Sequence, residues 1–226
     1  MGSAIGNILP EAVAVAISPV PIIALILMLF SKKATSNSLA FLVGWILGLA
    51  LVGGIVMAIG STQNMSAGSG ASSAGYTVKL LLGILLLFLA ARNWRKKPKP
   101  GEQPKMPAWM STIDSVKSGR AFLLAVLLAG INPKNLALTL SAALDIVQKG
   151  LATGQAIVAM IIFIAIASVT IAVPVLLNLF TKDRSTRILN TWREWLTENN
   201  STVMFILLLI FGILLLGKGI SGLSGG

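Results

Sequence analysis

The sequence predicts an all-α membrane protein: six transmembrane helices arranged as two inverted three-helix repeats, with the first and fourth helices broken. The first observation is composition. Of 226 residues, 55% are hydrophobic and 11% charged, with a mean hydropathy of +0.88, far from the balance of a soluble domain. The second is that six apolar runs, separated by polar or basic connections, fill the chain and leave no room for a soluble catalytic domain. The third is that a proline-centred break falls midway along the first and fourth runs, and a shift of 114 residues lays Ile17-Ser18-Pro19 on Ile131-Asn132-Pro133. Three spans per half place the halves in opposite orientations, and inverted repeats with paired broken helices are a transporter signature.

The first run, 8–30, is too long for the apolar core of a signal peptide and carries no small-residue cleavage signal, so it is read as a span. It begins around Glu11 and is interrupted by Ser18-Pro19-Val20-Pro21, whose prolines block continuous helical bonding. The second run, 39–59, holds Gly44, Gly48, Gly53 and Gly54; small residues four apart let helix backbones approach, and ordinary packing explains them. The uncharged Gly/Ser/Ala stretch 60–75 reads as a flexible connection. The third run, 78–91, lies between Lys79 and the group Arg92, Trp94, Arg95 and closes a first repeat over 1–94.

Residues 95–120 carry four prolines and a cluster of lysines, and are expected to form a basic loop lying against anionic headgroups. The second repeat, 121–226, opens with a span over 121–146 that contains Asn132-Pro133-Lys134-Asn135. A fifth span covers 157–180, with Pro174 near its end, and a sixth covers 203–216. Between these two, residues 184–196 place Ile188, Trp192 and Trp195 at helical spacing, the pattern of an amphipathic helix lying in the interface.

Charge sets the orientation. Fourteen of the 18 Lys and Arg residues fall in the connections after spans one, three and five. Lys79, Lys149 and Lys218 fall on the other side and Lys134 inside the membrane. By the positive-inside rule both termini are outside a plasma (inner) membrane. The net charge of +11 therefore reads as a topology signal and not as a nucleic-acid surface. There is no cysteine and no histidine, which removes thiol redox chemistry, disulfides and Cys/His metal sites. The spans also lack paired carboxylates, so the chain is not expected to be an enzyme or to hold a metal or cofactor.

The breaks are where chemistry is expected. A lysine at mid-span costs about 2.5–3.5 kcal/mol on insertion scales. Lys134 lies some 14 residues inside the basic end of its span, roughly 20 Å at the helical rise and beyond the reach of its own stem. Ser18 and Asn132 are N-cap residues, and Pro19 and Pro133 suit the first helical position. Each break should thus start a half-helix near the midplane, its amides and positive dipole end turned inward. Ser18, Pro19, Pro21, Asn132, Pro133, Lys134 and Asn135 form the expected anion-binding centre. A proline kink whose lysine is satisfied by backbone carbonyls is the structural alternative. Glu11 and Asp145 are the acids available for proton coupling, and both are expected at shallow depth, away from Lys134.

At these residues the chain resembles the lysine-exporter superfamily, whose members carry proline motifs in the first and fourth spans of two inverted three-helix repeats. Its length, its long basic loop and the Asn-Pro-Lys-Asn segment are most similar to the actinobacterial peptidoglycolipid-addressing proteins, which include the sulfolipid-addressing type. Val20 stands where the superfamily's amino-acid exporters commonly have glycine, which argues against an amino-acid substrate. The resemblance implies export or addressing of an anionic or sugar-bearing cell-envelope lipid to the surface. The partners it admits are the bilayer, that lipid, lipid synthesis or export machinery, and a second copy forming a homodimer. A non-transporting scaffold of an envelope-lipid complex and an exporter of small, amino-acid-like molecules are the alternative readings.

Overall fold

The computed structural model describes residues 1–62, 70–95, 116–180 and 185–224, and every regular element among them is an α-helix. The first apolar run forms two helices, α1 (Gly2–Ala16) and α2 (Pro19–Leu29), bent by 50° across Ile17 and Ser18. The run expected as span four forms α5 (Ser118–Gly130) and α6 (Pro133–Gln148), bent by 62°. Both second halves start on proline, which has no N–H to give the preceding turn and a φ already set for a helix. The remaining runs form α3 (Ala34–Thr62), α4 (Gly70–Arg95), α7 (Thr153–Phe180) and α8 (Ser185–Ser224). These four are long and apolar enough to cross a membrane, and each bent pair would add one more crossing.

Two boundaries differ from expectation. The Gly/Ser/Ala connection is shorter than 60–75, because α3 runs to Thr62 and α4 begins at Gly70. The stretch read as an interfacial helix continues into the last span within the single 40-residue α8, since no proline or glycine interrupts 185–211. Most of the basic Pro-rich segment, together with Lys182 and Arg184, lies outside the described residues.

Helices pair by close backbone approach. A Cβ at Gly44 would sit 2.3 Å from the Phe122 carbonyl oxygen, and one at Gly48 2.8 Å from the Ala129 Cβ, so α3 lies directly on α5. The α4–α8 seam is equally tight: a Cβ at Gly83 would fall 2.7 Å from the Leu216 backbone nitrogen. Further pairings set α1 against α7 and α6, and α2 against α8. The core between them holds Phe41, Trp45 and Phe163 with many alanines, and Trp45 Nε1 donates to the Ala167 carbonyl at 3.4 Å. Large apolar side chains such as Phe88, Ile161 and Ile213 point outward, as a surface facing lipid requires.

The two ends of the bundle are unlike. One carries Lys32, Lys33, Arg92, Arg95, Arg120, Arg187 and Arg193 and is tied together by Asn37 Nδ2 donating to the Val116 carbonyl at 2.9 Å and by the Ser36–Ser118 hydroxyl pair at 2.6 Å. We call it the basic end. The opposite end brings together Glu11 of α1, Lys79 in the first half of α4 and the last turns of α6 and α8.

Candidate functional site

The two breaks meet. Ser18 Oγ donates to Asn135 Oδ1 at 2.8 Å across 117 residues of sequence, and Asn135 Nδ2 donates to the Leu128 carbonyl at 3.0 Å. One buried amide thus joins the start of α2, the last turn of α5 and the first turn of α6. Asn132 behaves as a cap should, its Oδ1 accepting from the Lys134 backbone N–H at 3.1 Å. Ser18 does not: its backbone is extended at the N-cap position, but its side chain makes no cap bond, because the hydroxyl is committed to Asn135. Pro19 and Pro21 are buried at the head of α2, whereas Pro133 borders a cavity.

Lys134 is buried, at 1% exposure, yet its ammonium is not turned toward the amide ends of the half-helices. Nζ donates to the Ala14 carbonyl at 2.6 Å, in the last turn of α1. The reason lies in the ends themselves. A helix leaves its last four carbonyls without intrahelical donors, and the negative end of its dipole attracts a cation that the two positive ends would repel. All four of the α1 carbonyls are answered: Val13 by the Ile17 N–H at 3.0 Å, Val15 by the Ser18 N–H at 3.3 Å, Ala14 by Lys134 and Ala16 by the Thr170 hydroxyl. Lys134 is paired with no carboxylate among the described residues.

Beside it lies a cavity of about 360 Å³ lined by Arg92, Asn93, Asn132, Pro133 and Lys134, with Leu89, Met204 and Leu208 as its apolar wall. Arg92 is near the basic end of α4, so the cavity leads from the break toward that end. Arg92 and Asn93 escaped the sequence reading as site residues because they stand on α4, with all of α5 between them and the break. A larger crevice of about 590 Å³ between α3, α6 and α7 has no charged residue in its lining.

A second charged centre occupies the opposite end. Lys79 Nζ meets Asp145 Oδ1 at 2.7 Å and also donates to Gln148 Oε1. Lys218 Nζ bridges Asp145 Oδ2 at 2.7 Å and Glu11 Oε1 at 2.5 Å, and donates to the Asn7 carbonyl at 3.1 Å. Ser141 Oγ donates to Glu11 Oε1 at 3.2 Å. Glu11 and Asp145 are therefore brought together, and both stand apart from Lys134: eleven residues of α6 separate Lys134 from Asp145, about 16 Å along the axis. Lys79 and Lys218, read from sequence as loop charges, are instead members of this network, Lys79 at 1% exposure. The signal that could have found them is that two lysines and two acids fall at the same end of four apolar runs. Among the described residues no three His, Cys, Asp or Glu side chains gather as a metal site would require.

No curated protein and no solved structure matches the chain. The family model described as Sap, sulfolipid-1-addressing protein, matches residues 8–221, a stretch that holds both breaks, the cationic cavity and all four members of the ion network. The chain belongs to the Sap, sulfolipid-1-addressing protein family.

Proposed function

We propose that the protein carries the anionic headgroup of a cell-envelope lipid, of the sulfated kind that the family's description names, outward through a site where the two broken helices meet. The observation that carries this reading is the Ser18–Asn135 contact, with Lys134 beside it at the end of a cavity that also presents Arg92. Two cations, the side chains of Asn93 and Asn132 and an apolar wall suit an anionic group attached to a hydrocarbon body. A buried ammonium with no carboxylate partner is a functional site by default inside a membrane.

The packing supports two inverted repeats. Exchanging the halves of the chain turns the α3–α5 pair into α7–α1 and the α2–α8 pair into α6–α4, and all four pairs are present. It also supports one state of an alternating cycle. α1 and α6 pack on each other, while α2 and α5 have no comparable contact among the described residues, so the broken helices are closed on each other toward the network end and parted toward the basic end, where α3 and α5 stay tied. With the basic end cytoplasmic, this is an inward-facing carrier in a plasma membrane, both termini outside. Glu11 and Asp145 belong to closure on the far side, and no residue of the site calls for an enzymatic step.

The test is surface delivery of the envelope lipid in a deletion strain complemented with variants, the membrane level of each being measured alongside. Lys134→Met should abolish delivery at normal abundance, and Lys134→Arg should retain part of it, since charge is kept while shape changes. One observation favours a second reading, a non-transporting scaffold: the Lys134–Ala14 bond satisfies the lysine within the fold. On that reading Lys134→Met lowers delivery only as far as it lowers abundance.

A further inference from the structure

The buried network at the far end is sorted by sign. Both cations stand on one helix pair, Lys79 on α4 and Lys218 on α8, and both anions on the other, Glu11 on α1 and Asp145 on α6. Each pair is firmly joined within itself. Along α4 and α8 a Cβ at Gly83 or Gly219 would strike the backbone of the facing helix, at 2.7 and 2.8 Å. Across α1 and α6 run the Lys134–Ala14 and Ser141–Glu11 bonds. Between the pairs, α8 touches α1 and α6 only lightly and meets them at this end through Lys218, while α4 packs more closely on α6, where Lys79 meets Asp145.

The network also lies at the end of a line of buried polar side chains. Lys134, Ser141, Asp145 and Gln148, at i, i+7, i+11 and i+14, share one face of α6, and all four are buried. That face, with Ala137 and Leu138 between Lys134 and Ser141, runs from the cavity at the breaks to the ion pairs. Beside it, Glu11 Oε2 is buried with no hydrogen-bond partner among the described residues, an acceptor capacity that a permanently dry interface would not leave unused.

We propose that the network is an electrostatic latch: it closes the route that runs from Lys134 along α6, and it opens when the α4–α8 pair withdraws with both lysines from Glu11 and Asp145. Two positive and two negative charges leave the closed state neutral, and separating them requires water or a polar headgroup to take over four charged groups at once. The latch serves the carrier proposed above and rests on that reading for its role, but its opening can be measured with no lipid substrate present.

Because the chain has no cysteine, Ser141→Cys installs a single thiol directly beneath the network. In right-side-out and inverted vesicles, a membrane-impermeant maleimide should react slowly with it from the network end. Adding Glu11→Gln and Asp145→Asn keeps the shapes, removes both anions and leaves the lysines to repel; labelling from that end should quicken on the order of tenfold or more. Lys218→Arg should leave it slow. Should the double substitution fail to reach the membrane, Lys218→Met carries the same test, its side chain being the least buried member at 24% exposure. Rapid labelling with the network intact, or unchanged labelling once either set of charges is removed at normal abundance, overturns the latch. Faster labelling together with full lipid delivery by Lys134→Met would leave the latch standing and end the carrier reading.

Discussion

The two ends of α6 handle buried charge in opposite ways. At its start Lys134 stands without an acid and is held by one carbonyl at the C-terminal end of another helix; at its finish Asp145 is clasped between Lys79 and Lys218, with Glu11 completing a neutral set. The first arrangement works because a broken helix frees carbonyls that need donors anyway, so a cation can be housed with its charge uncompensated. The second works only if every member is present, because an unmatched buried ion costs several kcal/mol. An uncompensated cation can attract an anion, whereas a neutral set attracts none and serves best as a closure.

Substitutions at the two ends should separate these roles, and the largest effect falls on the neutral set. Asp145→Ala orphans Lys79 and half of the bridge made by Lys218, and should destabilise the folded protein by about 3–5 kcal/mol, read as a lower midpoint of thermal unfolding in detergent and reduced membrane abundance. Lys134→Met leaves the Ala14 carbonyl without its donor, a loss of about 1–3 kcal/mol, partly offset because the buried ammonium is gone. Its unfolding midpoint should therefore fall less than that of Asp145→Ala; an equal or larger fall would erase the distinction between the two ends. Asn132→Ala removes the cap of α6 and should cost about 0.5–2 kcal/mol, with lipid delivery weakened and not lost. Ser18→Ala removes one neutral hydrogen bond between the breaks and should cost about 0.5–1.5 kcal/mol; a much larger loss would mean that this contact, and not the packing of α1 on α6, holds the breaks together.

How far the sequence could be read follows the same division. Pro19 and Pro133 announce their breaks because proline acts on its own backbone, and the meeting of the motifs was legible from their matching depth. The family match over 8–221 agrees with the sulfolipid-addressing part of the resemblance. Where Lys134 points was legible only as the alternative of a lysine satisfied by backbone carbonyls, which the Ala14 bond matches; the expected anion centre assumed that the amide ends alone set the local field, and which carbonyl answers the lysine is decided by the fold. The partners of Lys79 and Lys218 were not legible. A lysine near the end of an apolar run reads equally as a topology marker or as a buried ion, and contacts spanning 66 to 207 residues decide between the two. The last helix shows a milder version, since nothing in the pattern read over 184–196 stops the helix before the final span.

The glycine seam between α4 and α8 has a kinetic consequence. Helices whose backbones touch, as at Gly83 and Gly219, cannot slide past one another without a clash, so Lys79 and Lys218 must leave their acids together. On the latch proposed above, release at this end is a single concerted event with one barrier, and its time course should be one exponential, with no half-open species accumulating.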